Sequence, residues 1–364
     1  MKIAAIDTIQ LKVPYQFGGK PTGYGGKVWS TNDILLVKVV TDNGLVGWGE
    51  AFCYGCQTAV RAAVHDMVAP VALGRDARDI AGLSHDLQQQ LHLFGRYGIT
   101  TFAISGLDIA LWDIAGKAAG LPLMQLLGGG ARTSLSAYAS LLKYRDPALV
   151  AARCGQAVGQ GYRHIKLHET GEAEVRAARE AVGPEIAIMV DTNCPWTPEQ
   201  ARHMAARLKP YDLLWLEEPL FPPEDFATLA RLRRESGVPL AAGENACTAF
   251  QFREMLAAGA VDYAQPSVTK VGGVSEFLKV AALVEGAGVT LMPHSPYFGP
   301  GFLATLHLMA ARGGPPGLVE RYHMDLDASL YGEWVNPREG SFAVPTGPGL
   351  GLEPDPKVIA TYSV

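Results

Sequence analysis

The chain has 364 residues, of which 48% are hydrophobic and 18% are charged, and its formal net charge is −5 at pH 7. This length and apolar content suit about two folded domains and exclude a disordered or fibrous chain. The slight acidic excess gives no electrostatic support for binding nucleic acid or a membrane surface. Five scattered cysteines, no apolar run of 18 residues and no signal-peptide pattern predict a cytoplasmic protein.

The first 125 residues predict a small α+β domain. β-type sequence covers residues 2–13, 34–41 and 45–51, and Asp42-Asn43-Gly44 between the last two is a hairpin turn signal. Helical periodicity follows at residues 57–72, 78–92 and 99–119. The three glycines at 128–130 are a plausible boundary to the next domain.

From residue 134, short β-type runs alternate with amphipathic helical segments, which predicts a second domain over residues 126–325. The runs are residues 135–141, 163–168, 186–191, 213–218, 239–244, 261–266, 289–294 and 317–321. Eight strands at this spacing predict an α/β fold of the TIM-like (β/α)7β barrel type, with an open doubly wound sheet as the alternative. We find no GxGxxG motif at a strand-to-helix turn, so a dinucleotide site is not supported. Residues 326–364 form no βα unit and are expected to return to the first domain.

Carboxylates follow three consecutive strands of this predicted barrel. Asp191, Glu217 and Glu244 each stand at a strand's carboxyl end, where side chains of a barrel converge. Three like charges brought together need a compensating cation, and an all-oxygen ligand set suits Mg²⁺. The alternative for each residue alone is a solvated acid at a strand end.

Several motifs together resemble the enolase superfamily, in its mandelate racemase-like subgroup, over nearly the whole chain. They are GLVGWGEA (44–51), the stretch 106–129, VDTN, WLEEP and GEN on the third to fifth barrel strands, KVGG (270–273), His294 and the VPTGPGLG tail. The resemblance implies a barrel covered by a capping domain that the N-terminal region and the C-terminal tail form together. It also implies a small carboxylate substrate and a homo-oligomer.

The resemblance assigns roles to individual residues. It makes Asp191, Glu217 and Glu244 the Mg²⁺ ligands, with Asn193 and Asn245 beside them. Glu320 matches the acid that polarises the substrate carboxylate or hydrogen-bonds the enolate. The reaction implied is removal of the proton α to a carboxylate, with the metal stabilising an enediolate.

The second barrel strand departs from the family's Lys-x-Lys motif. Lys166-Leu167-His168 aligns His168 with the base and Lys166 with the lysine that neutralises the carboxylate. A neutral imidazole is a competent base near pH 7. The other alignment, His164-Ile165-Lys166, would make Lys166 the base.

The sixth strand departs as well. The family usually has Asp or Lys where this chain has Ser267, with Lys270 nearby. A hydroxyl can orient His294 by a hydrogen bond, but it cannot stabilise an imidazolium by charge. His294 is therefore expected to act as a general acid or a neutral hydrogen-bond partner.

One base and one acid suit β-elimination, so the sequence predicts dehydration of an acid sugar. Racemisation or epimerisation remains an alternative if His294 can accept a proton, and cycloisomerisation of a lactone uses the same two roles. Outside enzymes, the alternative is a catalytically inactive barrel.

Aromatic residues in two capping-domain loops and after strand seven are expected to determine substrate specificity. They are Tyr15, Phe17, Tyr24, Trp29, Tyr54 and Tyr297. The glycine-rich loop 14–30 is predicted to be a mobile lid. Its Lys20 and Lys27 either meet a second anionic group on the substrate or are solvated.

Overall fold

The computed structural model describes residues 1–23, 28–314 and 317–364, and it contains an antiparallel sheet and a curled parallel sheet. The first sheet has the order β12-β1-β2-β3, with β1 Ile3–Gln16, β2 Thr31–Thr41, β3 Val46–Ala51 and β12 Asp325–Leu326. The β2–β3 hairpin turns at residues 42–44, as the sequence predicts.

Helices cover the first sheet. They are α1 Gln57–Ala63, α2 Ala69–Ala72, α3 Ile80–Gln90, α4 Ile99–Ala119 and α5 Leu123–Leu126. A π-helical turn, Val64–Val68, joins α1 to α2, so the predicted helix at 57–72 is one irregular helical segment. Helix α4 is long and apolar enough to cross a membrane, but 83% of its most apolar window is buried inside the protein.

The parallel sheet is a TIM-like barrel of the (β/α)7β type. Its strands are β4 Ser134–Leu141, β5 His164–Leu167, β6 Ala187–Asp191, β7 Leu213–Glu217, β8 Leu240–Ala242, β9 Tyr263–Ala264, β10 Thr290–Leu291 and β11 Val319–Tyr322. Neighbours pair in chain order from β4 to β10, and β11 pairs with β4. This strand order, with β11 beside β4, is that of a barrel and replaces the open doubly wound alternative.

One helix lies between each pair of successive barrel strands. They are α6 Pro147–Gly159, α7 Glu172–Val182, α8 Pro198–Leu208, α9 Phe226–Ser236, α10 Ala249–Ala257, α11 Gly273–Gly286 and α12 Pro300–Ala311. Side-chain caps start several of them; Thr197 and Gln200 form a complete capping box on α8. The barrel interior holds a separate apolar cluster of Tyr138, Met189, Trp215, Ala241 and Leu318.

The last segment contacts the first sheet. It contains β13 Ser341–Ala343, which pairs with β4, and α13 Pro356–Tyr362. The Val364 amide donates to the Gln10 carbonyl at 3.0 Å, and the Trp48 indole donates to the Glu353 carboxylate at 2.8 Å. These bonds tie the tail to β1 and β3, while the domain limits at 125 and 325 stay predictions.

The first domain also contacts the carboxyl end of the barrel. The Glu50 carboxylate accepts a bond from the Gly301 amide at 2.9 Å, at the start of α12. The Tyr54 hydroxyl donates to the Pro296 carbonyl at 2.6 Å. Burial raises the pKa of Glu50 to about 8, against the opposing effect of the Gly301 and Gly299 amides. The loop after β10 is thereby fixed by the neighbouring domain.

We expect Gly49→Ala to lower the free energy of unfolding by about 1–3 kcal/mol, because its Cβ overpacks the contact between β3 and α4. A Cβ at Gly49 would lie 1.9 Å from the Gly106 carbonyl oxygen. Gly155→Ala is the matched control, since a Cβ on this exposed helical glycine meets nothing within 4 Å. Urea unfolding compares the two, and equal stabilities would contradict the close packing of α4.

Candidate active site

Three carboxylates converge at the carboxyl ends of neighbouring barrel strands. Asp191 and Glu217 end β6 and β7 at paired positions, and Glu244 lies two residues beyond β8. One ligand atom from each lies within 4.8 Å of the others, so this group could hold a metal ion. Asp191 and Glu217 are 2% and 0% exposed. Buried carboxylates this close need a cation, which fits the oxygen-only donor set.

Lys166 on β5 lies at the centre of the carboxylates. Its Nζ is 3.2 Å from Asp191 Oδ2, 3.1 Å from Glu217 Oε1 and 3.0 Å from Glu320 Oε1. Burial alone would lower the pKa of Lys166, but the charges of Glu217 and Glu320 hold it well above its usual range. The ammonium therefore stays charged and is poorly suited to accept a proton.

The shared environment shifts the pKa values of the three carboxyl groups in different directions. Burial and the Asp191 charge raise the pKa of Glu217 to about 8. For Asp191, burial is outweighed by Lys166 and His168, which lower the pKa below its usual range. For Glu244, burial is outweighed by His294 and Lys270, which lower the pKa to about 2. Because Asp191, Glu217 and Glu244 lie this close together, the site favours a further cation.

His168 lies at one side of the carboxylates, at the end of β5. Its Nδ1 is 2.6 Å from the Leu141 carbonyl, which can only accept, so Nδ1 carries a hydrogen. Its Nε2 lies 3.2 Å from Asp191 Oδ2. Burial lowers the pKa of His168, but the Asp191 charge reverses this and leaves the pKa raised.

His294 lies at the other side, beside Glu244. Its Nε2 is 2.7 Å from Glu244 Oε2, and because a carboxylate accepts, this nitrogen holds a proton. Its Nδ1 is 3.3 Å from both the Ser267 hydroxyl and the Tyr297 hydroxyl, which also bond to each other. The two hydroxyls orient the imidazole without adding charge.

The other predicted residues lie around this group. Lys270 Nζ is 3.9 Å from Glu244 Oε1 and 4.7 Å from the centre of the Phe52 ring. The Asn193 backbone N–H donates to Asp191 Oδ1 at 3.0 Å. Asn245 donates to both oxygens of Glu218, at 3.1 and 2.8 Å. Glu320 accepts from the Ser295 amide at 3.0 Å.

A cavity of ≈710 Å³ opens beside His168. Three of the predicted specificity residues, Tyr15, Trp29 and Tyr54, line it. Phe17 is instead buried against Tyr144, with ring centres 5.5 Å apart, and Tyr297 is buried against His294. Neither is among the described lining residues. Tyr24 and Lys27 lie outside the described residues, and exposed Lys20 is not among the lining residues.

Sequence reasoning missed two acidic residues that organise the site. Buried Glu218 holds Asn245 and accepts from the Cys194 thiol at 3.3 Å. Buried Glu169, just beyond β5, accepts from the Tyr144 amide at 2.6 Å and the Arg145 amide at 3.1 Å. The WLEEP motif offered a signal for Glu218, whereas nothing in the sequence links Glu169 to residues 144 and 145.

We expect Glu169→Ala to lower the free energy of unfolding by about 1–3 kcal/mol, because two backbone amides lose their acceptor. Glu180→Ala, on the exposed surface of α7, is the control and should change stability by less than about 0.5 kcal/mol. Thermal or urea unfolding measures both. Equal effects would show that the Glu169 carboxylate does not hold this turn.

Comparisons with known proteins agree with this geometry. The N-terminal domain of mandelate racemase / muconate lactonizing enzyme matches residues 10–128, and the enolase C-terminal domain-like family matches residues 149–358. The chain is 34% identical to arabinonate dehydratase from Saccharolobus solfataricus, over 88% of this chain and 87% of the relative. It is 33% identical to D-galactarolactone cycloisomerase from Agrobacterium fabrum, over 88% of each.

A solved structure adds a bound metal to the comparison. L-Talarate dehydratase from Polaromonas sp. JS666, complexed with Mg and L-glucarate, superposes with a TM-score of 0.81 and 29% identity. The alignment covers 100% of this chain and 97% of that one. The two matching domains and these relatives show that the chain belongs to the mandelate racemase/muconate lactonizing enzyme family of the enolase superfamily.

Proposed function

We propose that this chain is a Mg²⁺-dependent lyase that removes water from an acid sugar. The observation that carries the proposal is the position of two histidines on either side of three converging carboxylates, one beside Asp191 and the other beside Glu244. Relatives named as an arabinonate dehydratase and an L-talarate dehydratase support the same chemistry.

Asp191, Glu217 and Glu244 would hold the Mg²⁺. When bound, Mg²⁺ would offset the charge of these carboxylates and the negative charge that develops on the substrate's carboxylate. The close approach of their oxygens, within 4.8 Å of one another, supports this assignment, and burial together with the Asp191 charge raises the pKa of Glu217 to about 8. The structure of L-talarate dehydratase, named as a complex with Mg and L-glucarate, supports the assignment too.

His168 is proposed as the base that takes the α-proton. Its Nδ1 donates to Leu141, so Nε2, which faces Asp191 at 3.2 Å, is the nitrogen that would exchange a proton with the substrate. His168 also lines the large cavity, whereas Lys166 is 0% exposed and surrounded by carboxylates. These contacts favour His168 over Lys166, whose charge would instead neutralise the substrate's carboxylate.

His294 is proposed as the acid. The electrons of the broken α-C–H bond form a double bond to the β-carbon, and the β-hydroxyl leaves with the proton from His294 Nε2 as water. The enol that remains tautomerises to a 2-keto-3-deoxy acid. The Ser267 and Tyr297 hydroxyls hold the imidazole in place during this step.

Cycloisomerisation is the second candidate, because a relative is named D-galactarolactone cycloisomerase and the same base and acid would serve. There, a ring oxygen leaves the β-carbon in place of water. Racemisation needs His294 to accept a proton. The uncharged hydroxyls of Ser267 and Tyr297 at its Nδ1 would not stabilise the imidazolium that forms, which does not favour that role.

We also propose that the chain is cytoplasmic and forms a homo-oligomer. All five cysteines are free, which supports a reducing cytoplasm. Leu93, Phe94 and Tyr97 are 79%, 61% and 56% exposed within one short stretch, which supports a homo-oligomer. The substrate is a small carboxylate.

The test is a proton NMR screen in D₂O with Mg²⁺ against sugar acids, their lactones and small hydroxy acids. We expect a 2-keto-3-deoxy product, lost on chelation and restored by Mg²⁺. A rearranged lactone would favour the cycloisomerase. Deuterium at the α-carbon without a new product would favour an epimerase, and silence with no specific Mg²⁺ binding would favour an inactive barrel.

We expect substitutions of the two histidines to give different results in this assay. His168→Ala should abolish exchange of the α-proton, while His294→Asn should retain exchange and lose product by about 10²-fold or more. Substrate deuteration and product formation are followed in the same NMR sample. Turnover retained in His168→Ala would contradict its role as base and favour Lys166.

A further inference from the structure

The cavity beside His168 carries more positive than negative side chains. Its described lining includes Lys12, Lys143 and Arg145, and Asp33 is the only acidic side chain among the described lining residues. Its ≈710 Å³ lies in the range of roughly 300–1,000 Å³ typical of sites for small ligands. The wall of the cavity therefore favours an anionic group in addition to the carboxylate that reacts.

Lys12 is exposed and has an acidic residue opposite it in the neighbouring strand. It stands opposite Asp33 in the register of β1 and β2, a position where opposite charges interact favourably across a sheet. This pairing leaves two cations, Lys143 and Arg145, without a matching acid in the described lining of the cavity.

Lys143 is half-buried and makes no ion pair or hydrogen bond with any described residue. Burial and the Arg145 charge lower the pKa of Lys143, against the opposing charges of Glu169 and Asp191. Taking an ammonium partly out of water without a partner is unfavourable, and a bound anion would remove that cost.

The turn that carries both cations is built into the fold. Glu169 accepts hydrogen bonds from the Tyr144 and Arg145 amides, and Arg145 has a φ of 57°. The Tyr144 hydroxyl donates to the Phe17 carbonyl at 3.1 Å, which ties the turn to the first domain. The backbone that places Lys143 and Arg145 at the cavity is thus fixed before substrate binds.

We propose that Lys143 and Arg145 bind a second carboxylate at the far end of the substrate, so that this enzyme prefers aldaric acids or their lactones to aldonic acids. This inference rests on the proposed function and names its substrate class. The related chains divide between these classes by name: an arabinonate dehydratase on one side, a galactarolactone cycloisomerase on the other.

The test compares matched substrates that differ only at carbon 6, such as galactarate with galactonate and glucarate with gluconate. The measured quantity is the ratio of kcat/KM for the diacid to kcat/KM for the monoacid, with Mg²⁺ present. We expect wild type to favour the diacid by about tenfold or more, as a charge-assisted contact would give.

The variants locate the contact. Lys143→Met should lower this ratio by about 10- to 100-fold, Lys143→Arg should retain most of it, and Arg145→Gln should lower it less because Arg145 is exposed. Lys357→Met is the matched control, since it removes the same charge from an exposed position of α13 outside the described cavity lining and should leave the ratio unchanged.

Three results would overturn the inference while the proposed function stands: a wild type that favours aldonates, no change in either kcat/KM in Lys143→Met, or an equal loss on both substrates, which leaves the ratio unchanged. The last would place Lys143 at the reacting carboxylate. If no acid sugar is turned over, the proposed function fails. Calorimetric measurement of galactarate and galactonate binding then still tests whether Lys143 and Arg145 bind a second carboxylate. Tighter binding of galactarate that is lost in Lys143→Met would support the inference, and equal binding would overturn it.

Discussion

The excess of buried negative charge at the carboxyl end of the barrel is the constraint on which the rest of the site depends. Asp191, Glu217, Glu218 and Glu320 are buried there beside half-buried Glu244. Burial and the neighbouring carboxylates raise the pKa of both Glu217 and Glu218, so the site resists holding all five as anions with only Lys166 and Lys270 as ammonium partners. Removing this much charge from water is costly unless cations and hydrogen-bond donors surround it. The site is therefore arranged to receive a cation, and its histidines are held in place by the same carboxylates.

The periodic parts of this arrangement follow from the sequence. A parallel barrel brings the ends of successive strands together, so the spacing of Asp191, Glu217 and Glu244 predicts their convergence without coordinates. The substitution of Ser267 for an acid likewise predicts an uncharged partner for His294, and the structure places both hydroxyls, Ser267 and Tyr297, on Nδ1. The sequence does not predict Tyr297 as the second partner of His294, because contacts with the first domain fix the loop that carries Tyr297.

The parts that the sequence does not predict depend on contacts between distant segments. Glu169 meets the amides of residues 144 and 145 across two strands, and no periodicity encodes that meeting. Lys143 gives no signal of its own, since a lysine after a strand is normally solvated. Only its partial burial beside the cavity sets it apart. The lysines of the glycine-rich loop were the visible candidates, and the described one, Lys20, lies elsewhere.

Chemistry and specificity are attached to the fold in different ways. The proposed metal ligands, base and acid belong to strand ends of one rigid barrel, whereas the cavity wall combines β1 and β2 with the turn after β4. The two parts meet at His168, which contacts Asp191 and lines the cavity. A change at residue 143 or 145 can therefore alter which acid is held without moving a carboxylate of the metal site.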